Sequence, residues 1–591
     1  MDTEPTEHTE PASADTPLGE GSPDTPATSG GSTYSRRWYF VAGLVASGFS
    51  LALTELIAGL YLSAPSMVVT IGQRFIDITP AALKDWAIAV FGTNDKAALI
   101  GGIVVVTILI GGLLGVVSQD RLLWASAGFV AFGALGFVLG LTDPLATTGA
   151  TFMAAASAPI SGIAVLSYLR YLLQQPDSAS DADLPERFAE SRRAFVTASG
   201  AAVALSLGQV VVGRLSAGRT QEAVAARDQV TLPTVGTSPS TTTSATTTPN
   251  TVATTSAAQE QAAASSTTTT SEPVASTMAE EPVVRAVADP TSAQIAPVEG
   301  VSELVTPNDS FYRIDTALTI PRVQLDTWQL RFTGLVDAPF SLTYDELLAL
   351  PMVERFITIC CVSNQVGGEL IGNAKWLGVP LKDLLERAGV QPEGTQLIGR
   401  SVDGFTVGFP TSAAFDGREA LLAVGMNGEP LPLKHGFPAR LVVSGLYGFV
   451  SATKWLSEIE FARWEDFNAY WIPRGWSKEA PIKTHSRIDT PRPGEIAAGP
   501  QAIAGVAWSQ NRGIDRVEVQ VNEEPWMEAT LPEELSIDTW RQWYVEYDFA
   551  PGPYAIAVRA TDRTGYTQTS EIVSPRPDGA TGYHIVGVRA V

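Results

Sequence analysis

The only two cysteines of the 591-residue chain stand side by side, in Ile357-Thr358-Ile359-Cys360-Cys361-Val362-Ser363-Asn364. Phe356, Ile357 and Ile359 ahead of them read as a buried strand, and Ser363, Asn364, Gly367 and Gly368 behind them as a loop. A thiol where a buried strand gives way to a polar loop can present its sulfur to something bound there. It can equally serve as a small apolar core group, since cysteine is among the most buried residue types. Neighbouring cysteines are poorly placed to bridge one another, because disulfide geometry wants their Cα atoms further apart. Two cysteines also make no disulfide framework. The four histidines, His8, His435, His485 and His584, are far apart and show no zinc spacing.

Length suggests several units. A net charge of -23 argues against nucleic acid as a partner, since phosphate binding needs a basic face. Residues 1–34 hold almost nothing apolar and are expected to be a disordered tail. Five apolar runs are then long enough to span a bilayer: Tyr39–Leu62, Leu99–Val117, Leu122–Leu141, Gly149–Tyr171 and the Ala/Gly-richer Ala194–Val212. The mixed segment 63–97 reads as a loop with a short interfacial helix. Arg36, Arg37, Arg121, Arg187, Arg192 and Arg193 outvote the basic residues of that first loop, which puts the amino terminus in the cytoplasm. Five spans then place everything after about residue 214 outside the membrane.

Three further features stand in or beside the spans. None contains a histidine, the usual axial ligand of a transmembrane haem. Glu55 lies inside the first and is either a functional acid or a hydrogen-bonded residue near the outer end. Ser191-Arg192-Arg193-Ala194-Phe195-Val196 opens the fifth and resembles a twin-arginine export signal, a route for domains already folded around a cofactor. The alternative reading is ordinary flanking charge. Residues 228–280 are dominated by Thr, Ser, Ala and Pro and read as a flexible stalk.

From about 298 the pattern is α+β, with Pro380 to Gly389 forming a short amphipathic helix. From about 465 it is all-β, with Val517, Val519 and Val521 alternating with Glu518 and Gln520, as in a β-sandwich.

Four pieces in order resemble the sulfite oxidase family of molybdenum enzymes. They are Thr306-Pro307-Asn308-Asp309-Ser310-Phe311-Tyr312-Arg313, then Cys361-Val362-Ser363-Asn364 with Trp376 to Leu381, then Met426 to Pro432 running into His435-Gly436-Phe437-Pro438-Ala439-Arg440, and Gly448 to Trp455. The resemblance implies a molybdenum held by the dithiolene of a pyranopterin plus one protein thiolate, the soft donor such a site needs. It makes Cys361 the metal ligand. Cys360 then points to the other face of the strand. It assigns Asn308, Phe311, Tyr312, Ser401, His435, Arg440, Ser451, Thr453 and Lys454 to the cofactor. Arg440 offers phosphate or pterin a planar fork, and Lys454 a point charge. Ser451 and Thr453 could close a phosphate-binding turn.

The family's sulfite-holding arginine is replaced here by Gln365, Val366 and Gly367, and its tyrosine by Phe405. Both departures argue against a small dianion bound in the same way.

The expected layout is a multi-domain chain. A disordered cytoplasmic tail (1–34) precedes a five-helix transmembrane region (35–214) and a Thr/Ser/Pro-rich linker (215–297). An α+β sulfite-oxidase-like molybdopterin domain (298–464) and an immunoglobulin-like dimerisation sandwich (465–591) follow. The expected protein is a multi-pass cell-membrane oxidoreductase with its molybdenum–molybdopterin cofactor outside the cytoplasm. Its expected partners are a small-molecule or oxidised-protein substrate, an external electron carrier (cytochrome or quinone-linked), membrane lipid, and a second copy in a homodimer. The alternative is a membrane sensor or transporter whose outer domain only binds ligand, with Glu55 as its best feature.

Overall fold

The computed structural model describes residues 34–61, 64–80, 95–143, 146–174, 184–216, 225–233 and 290–591, with scattered positions between 83 and 91. The expected disordered tail and most of the Thr/Ser-rich stalk lie outside the described residues.

The amino-terminal elements are α1 (Arg36–Leu60), α2 (Met67–Ile78), α3 (Asp95–Ser118), α4 (Leu122–Gly140), α5 (Thr148–Gln174) and α6 (Leu184–Ser216). All but α2 are long and apolar enough to cross a membrane. One compact unit takes the residues up to Leu53, Val104–Ala134 and Ala156–Val210. Inside it α1 and α3 touch backbone to backbone: a Cβ on Gly43 would sit 2.1 Å from the Gly111 carbonyl oxygen. The residues of the export-like motif are engaged there. Ser191 Oγ lies 2.5 Å from the Tyr34 hydroxyl, and the Arg192 guanidinium sits 5.7 Å from the Trp38 ring centre.

The second unit takes Thr54–Ile103, Leu135–Ala155 and Val211–Val591. Here Glu55 accepts from the Ser66 hydroxyl at 2.8 and 2.9 Å, while Ser66 caps α2 by accepting from Val69 N–H. Glu55 is thus bound to a helix cap, the hydrogen-bonded alternative of the sequence reading.

Residues 225–233, inside the stretch read as linker, dock on the folded region. Arg227 donates to the carbonyls of Pro430 (2.8 Å) and Leu431 (3.0 Å) and pairs with Glu429 at 2.7 Å. Leu232 packs against Gly425. Where description resumes, Ala293 is buried and Ile295 N–H donates to Gln542 at 3.1 Å. The Thr-rich residues therefore run between two attachment points on one unit.

The α+β region begins with β1 (Gln329–Gly334), β2 (Phe340–Thr343), α7 (Tyr344–Leu348), β3 (Val353–Cys360) and β4 (Ile371–Pro380). Next come α8 (Leu381–Ala388), β5 (Gln396–Ser401), β6 (Thr406–Pro410), β7 (Ala420–Met426) and β8 (Glu429–Pro430). It closes with β9 (Arg440–Val443), α9 (Gly448–Ser451) and β10 (Leu456–Ala462). One sheet has the order β2-β1-β10-β5-β6; the other runs β3-β4-β7-β8, with β9 on β7. Local signals explain the elements. Thr343 and Glu346 form a reciprocal capping box on α7. In α8, Leu381, Leu384, Leu385 and Ala388 recur at helical spacing on the buried face, and Gly389 ends the helix at φ 63°. Each buried leucine there contributes roughly 1.5–3 kcal/mol.

The carboxy-terminal strands are β11 (His485–Thr490), β12 (Gly494–Ile496), β13 (Gly499–Trp508), β14 (Ile514–Val521) and β15 (Met527–Glu528), then β16 (Arg541–Phe549), β17 (Gly552–Asp562) and β18 (His584–Ala590). They form sheets β11-β13-β16 and β12-β18-β17-β14-β15 over a common apolar core. The first strand of this region, β11, begins at His485, and Ala480 and Ile482 ahead of it pack with the α+β core.

Candidate active site

β3 delivers its last residues to the site. In the β3–β4 pairing Thr358 faces Asn373 and Cys360 faces Ile371, and alternation sends consecutive side chains to opposite sides. Cys360 packs into the apolar core, whereas Cys361, 7 % exposed, lines a cavity. Asn364 shapes the loop between them and β4. Its N–H donates to the Cys361 carbonyl at 3.0 Å, and its side-chain oxygen accepts from Leu370 N–H at 2.8 Å. Gly367 turns the loop at φ 75°, where a Cβ would meet the His584 ring at 2.4 Å, so glycine is required. Arg487 donates to the Gly368 carbonyl at 2.8 Å, so the sandwich holds the loop from outside.

The empty space of the cavity amounts to about 730 Å³, with the open solvent at its entrance counted in. Of the residues assigned to a cofactor, Phe311, Tyr312, Cys361, Ser401, His435, Arg440 and Lys454 line it. Asn308, Ser451 and Thr453 do not have their side chains there. Asn308 donates to the Met426 carbonyl and to Glu429, and accepts from Asn427 at 2.8 Å. Ser451 donates to the carbonyls of Leu446 and Tyr447, and Thr453 to that of Gly399. All three spend these polar atoms on holding turns next to the cavity.

Arg440, 4 % exposed, lies 5.0 Å from the Trp376 ring centre and donates to the His435 carbonyl at 3.1 Å. It makes no ion pair among the described residues. Burial pushes its pKa down to about 10. His435 Nε2 lies 3.0 Å from the Asn308 carbonyl; burial pushes its pKa down to about 3, so the ring is neutral. Lys454 is pushed down to about 8 by burial, against the pull of Asp315 at 2.7 Å. Gly436, at φ 111°, lets the chain come within 3.0 Å of Lys454 Cβ, measured from where a Cβ would stand. Burial raises the Cys361 thiol, while Ser363 and Lys454 act the other way.

Several lining groups went unmarked in the sequence reading. Asp315 is one: burial works against its charge, yet Lys454, Arg313 and Lys96 hold its pKa well below the ordinary range. Asp403 is another: burial raises it, and its carboxylate accepts from Phe405 N–H at 3.1 Å. Phe405, Phe449 and Trp471 give the mouth an apolar aromatic character. Asp315 lies two residues past Arg313 in a motif already singled out; nothing in its spacing marked it.

These residues fit a molybdenum–pyranopterin cofactor. Among the described residues no group of three or more His, Cys, Asp or Glu stands close enough to hold a metal. A metal at Cys361 therefore needs its other ligands from a small molecule. A buried guanidinium with no carboxylate is costly unless an anion joins it, and a phosphate supplies one.

Comparison with known proteins agrees. Residues 317–471 match the family described as oxidoreductase molybdopterin binding domain. Mitochondrial sulfite oxidase of Homo sapiens is 28% identical over 357 residues, 52% of this chain and 65% of that protein, so the match spans less than two thirds of that relative. An uncharacterized oxidoreductase, YuiH of Bacillus subtilis, is 38% identical over 149 residues, 25% of this chain and 72% of that one. Among solved structures, the sulfane dehydrogenase SoxCD of Paracoccus pantotrophus is 25% identical over 51% of this chain and 83% of that one, with a TM-score of 0.44.

Proposed function

The chain belongs to the sulfite oxidase family of molybdenum-cofactor-dependent oxidoreductases, and from that premise we propose that it is a membrane-anchored enzyme exchanging an oxygen atom with substrate outside the cytoplasmic membrane. When bound, the cofactor supplies two-electron oxygen-atom exchange. Cys361 holds the metal through its thiolate, losing its proton as it binds. Arg440 and Lys454 take the phosphate. Neutral His435, with Phe311 and Tyr312, would orient the pterin, and Ser401 lines the same cavity. Asn308, Ser451 and Thr453 act on the cofactor only by shaping the turns around it. Asp403, whose pKa burial raises, lines the same cavity.

The observation that carries this reading is one cavity shared by a buried thiol and a buried guanidinium without a carboxylate. The five apolar helices support the anchor, and the placement of basic residues supports an outer active site. The Ser191–Val196 motif supports export of a folded, loaded domain. The aromatic mouth and the absence of the sulfite arginine favour a neutral S- or N-oxide, free or on an oxidised protein, over sulfite. An external cytochrome or a quinone-linked carrier passes the electrons. The sandwich is proposed as an immunoglobulin-like dimerisation domain.

The test uses the full-length protein. Molybdenum per chain is measured by elemental analysis, and turnover with a redox dye is compared for sulfite, methionine sulfoxide and other S- and N-oxides. We expect molybdenum near one per chain, a metal–thiolate signal that is lost in Cys361→Ser, and turnover with an oxide. A metal content near zero after growth with molybdate would sink the proposal.

A further inference from the structure

We propose that Lys96, at the amino-terminal end of membrane helix α3, is a positioning residue for the site at Cys361, fixing the cavity wall at 315–317 and the counter-ion of Lys454. This rests on the reading that the cavity holds the cofactor. Lys96 Nζ donates to the Ala317 carbonyl at 2.7 Å and the Asp315 carbonyl at 3.1 Å, and it pairs with Asp315 Oδ1 at 3.2 Å. The other carboxylate oxygen, Oδ2, takes Lys454 at 2.7 Å and Arg313 at 2.7 Å. The Asp315 side chain is 5 % exposed, and Asp315 and Thr316 line the cavity. One buried carboxylate thus joins a membrane helix to a cavity lysine. A second contact supports the first: a Cβ on Gly72 of α2 would stand 3.0 Å from Leu318.

Lys96 shares Oδ1 with Arg313, whose Nη2 donates to it at 3.2 Å, and is the group that also ties the carbonyls of Asp315 and Ala317, while Oδ2 takes Lys454. Without the Lys96 charge, Asp315 leans wholly on Arg313 and Lys454. Lys454 is then held more tightly by its own carboxylate and less by a bound phosphate. The carbonyls of Asp315 and Ala317 lose their bonds to Lys96 at the same time. Charge-assisted bonds of this kind are among the stronger ones in proteins, though Lys96, 36 % exposed, is partly screened.

The experiment uses full-length protein in detergent micelles with Lys96→Met, Lys96→Gln and Lys96→Arg. Hydrogen exchange over residues 313–318 is measured on cofactor-free protein. The molybdenum(V) spectrum, kcat and KM are measured on loaded protein. For the Met and Gln variants we expect exchange roughly tenfold faster in that segment alone, a changed molybdenum(V) spectrum and a roughly tenfold loss in kcat/KM. Lys96→Arg, which keeps the charge, should restore all three. If Lys96→Met does not accumulate, Lys96→Gln decides, since it keeps a donor but not the charge. Unchanged exchange in the Met and Gln variants would overturn the proposal, whatever the metal content. Wild-type protein without molybdenum but with the exchange effect intact would count against the cofactor reading and leave the clamp standing.

Discussion

Replacing Arg440 by methionine separates what the guanidinium costs the empty protein from what it gives the loaded one. In the empty protein the side chain is buried without a carboxylate, and its pKa is pushed from 12.5 to about 10. At about 1.4 kcal/mol per decade, that displacement corresponds to roughly 3–4 kcal/mol of burial cost. Methionine removes the cost and keeps most of the volume. It also forfeits the bond to the His435 carbonyl and the stacking on Trp376, together worth about 2 kcal/mol. The cofactor-free variant should therefore unfold within about 2 kcal/mol of wild type, on the stabilising side. With the cofactor bound the sign reverses. A forked, buried contact to phosphate is lost, at roughly 3–5 kcal/mol, which is two to three or more orders of magnitude in cofactor affinity. The assay is thermal unfolding of both forms, with molybdenum content after dialysis. A cofactor-free Arg440→Met protein more than about 8 °C less stable than wild type, with metal content unchanged, would refute the reasoning, because the guanidinium would then be a structural strut.

Other substitutions probe the same site. Cys361→Ala should reduce turnover below about 1% of wild type, whereas Cys360→Ala, a core truncation, should keep turnover and cost about 1 kcal/mol of stability, read by kinetics and denaturant unfolding. Uptake of cofactor by empty protein should weaken as pH rises through about 8, where Lys454 loses its proton and so its attraction for phosphate; the sign is the one expected for a base whose pKa burial depresses, and a pH titration of binding checks it. Gly367→Ala forces a Cβ into the His584 ring at an unfavourable φ; a loss of about 1–3 kcal/mol and a shifted metal spectrum are expected, measured by unfolding and spectroscopy.

Much of this was legible in the residues. The helix over Leu381–Ala388 could be read because its leucines keep a strict spacing between a proline and a glycine. The different surroundings of Cys360 and Cys361 follow from strand alternation alone. Motifs locate a segment but not the direction of each side-chain oxygen. The motifs holding Ser451, Thr453 and Asn308 could be found in this way, whereas the bonds of their side chains to neighbouring turns could not. Asp315 and Asp403 become notable only when distant segments meet. The docking of 225–233 was hidden for another reason: a Thr-rich composition next to it dominated the reading, while one arginine and one leucine make the contacts.

That docked segment changes what sets the reach of the chain between the apolar helices and the folded region. The covalent path from Ser216 to the first bonded residues is only about ten residues, a reach of roughly 35 Å when fully drawn out. The Thr-rich stretch lies beyond it, so its length does not set how far the catalytic region can stray. A cut in that stretch would leave the two sides joined through Arg227 on Pro430 and Leu431 and through Lys96 on Asp315 and Ala317, so release would need both sets of bonds to open.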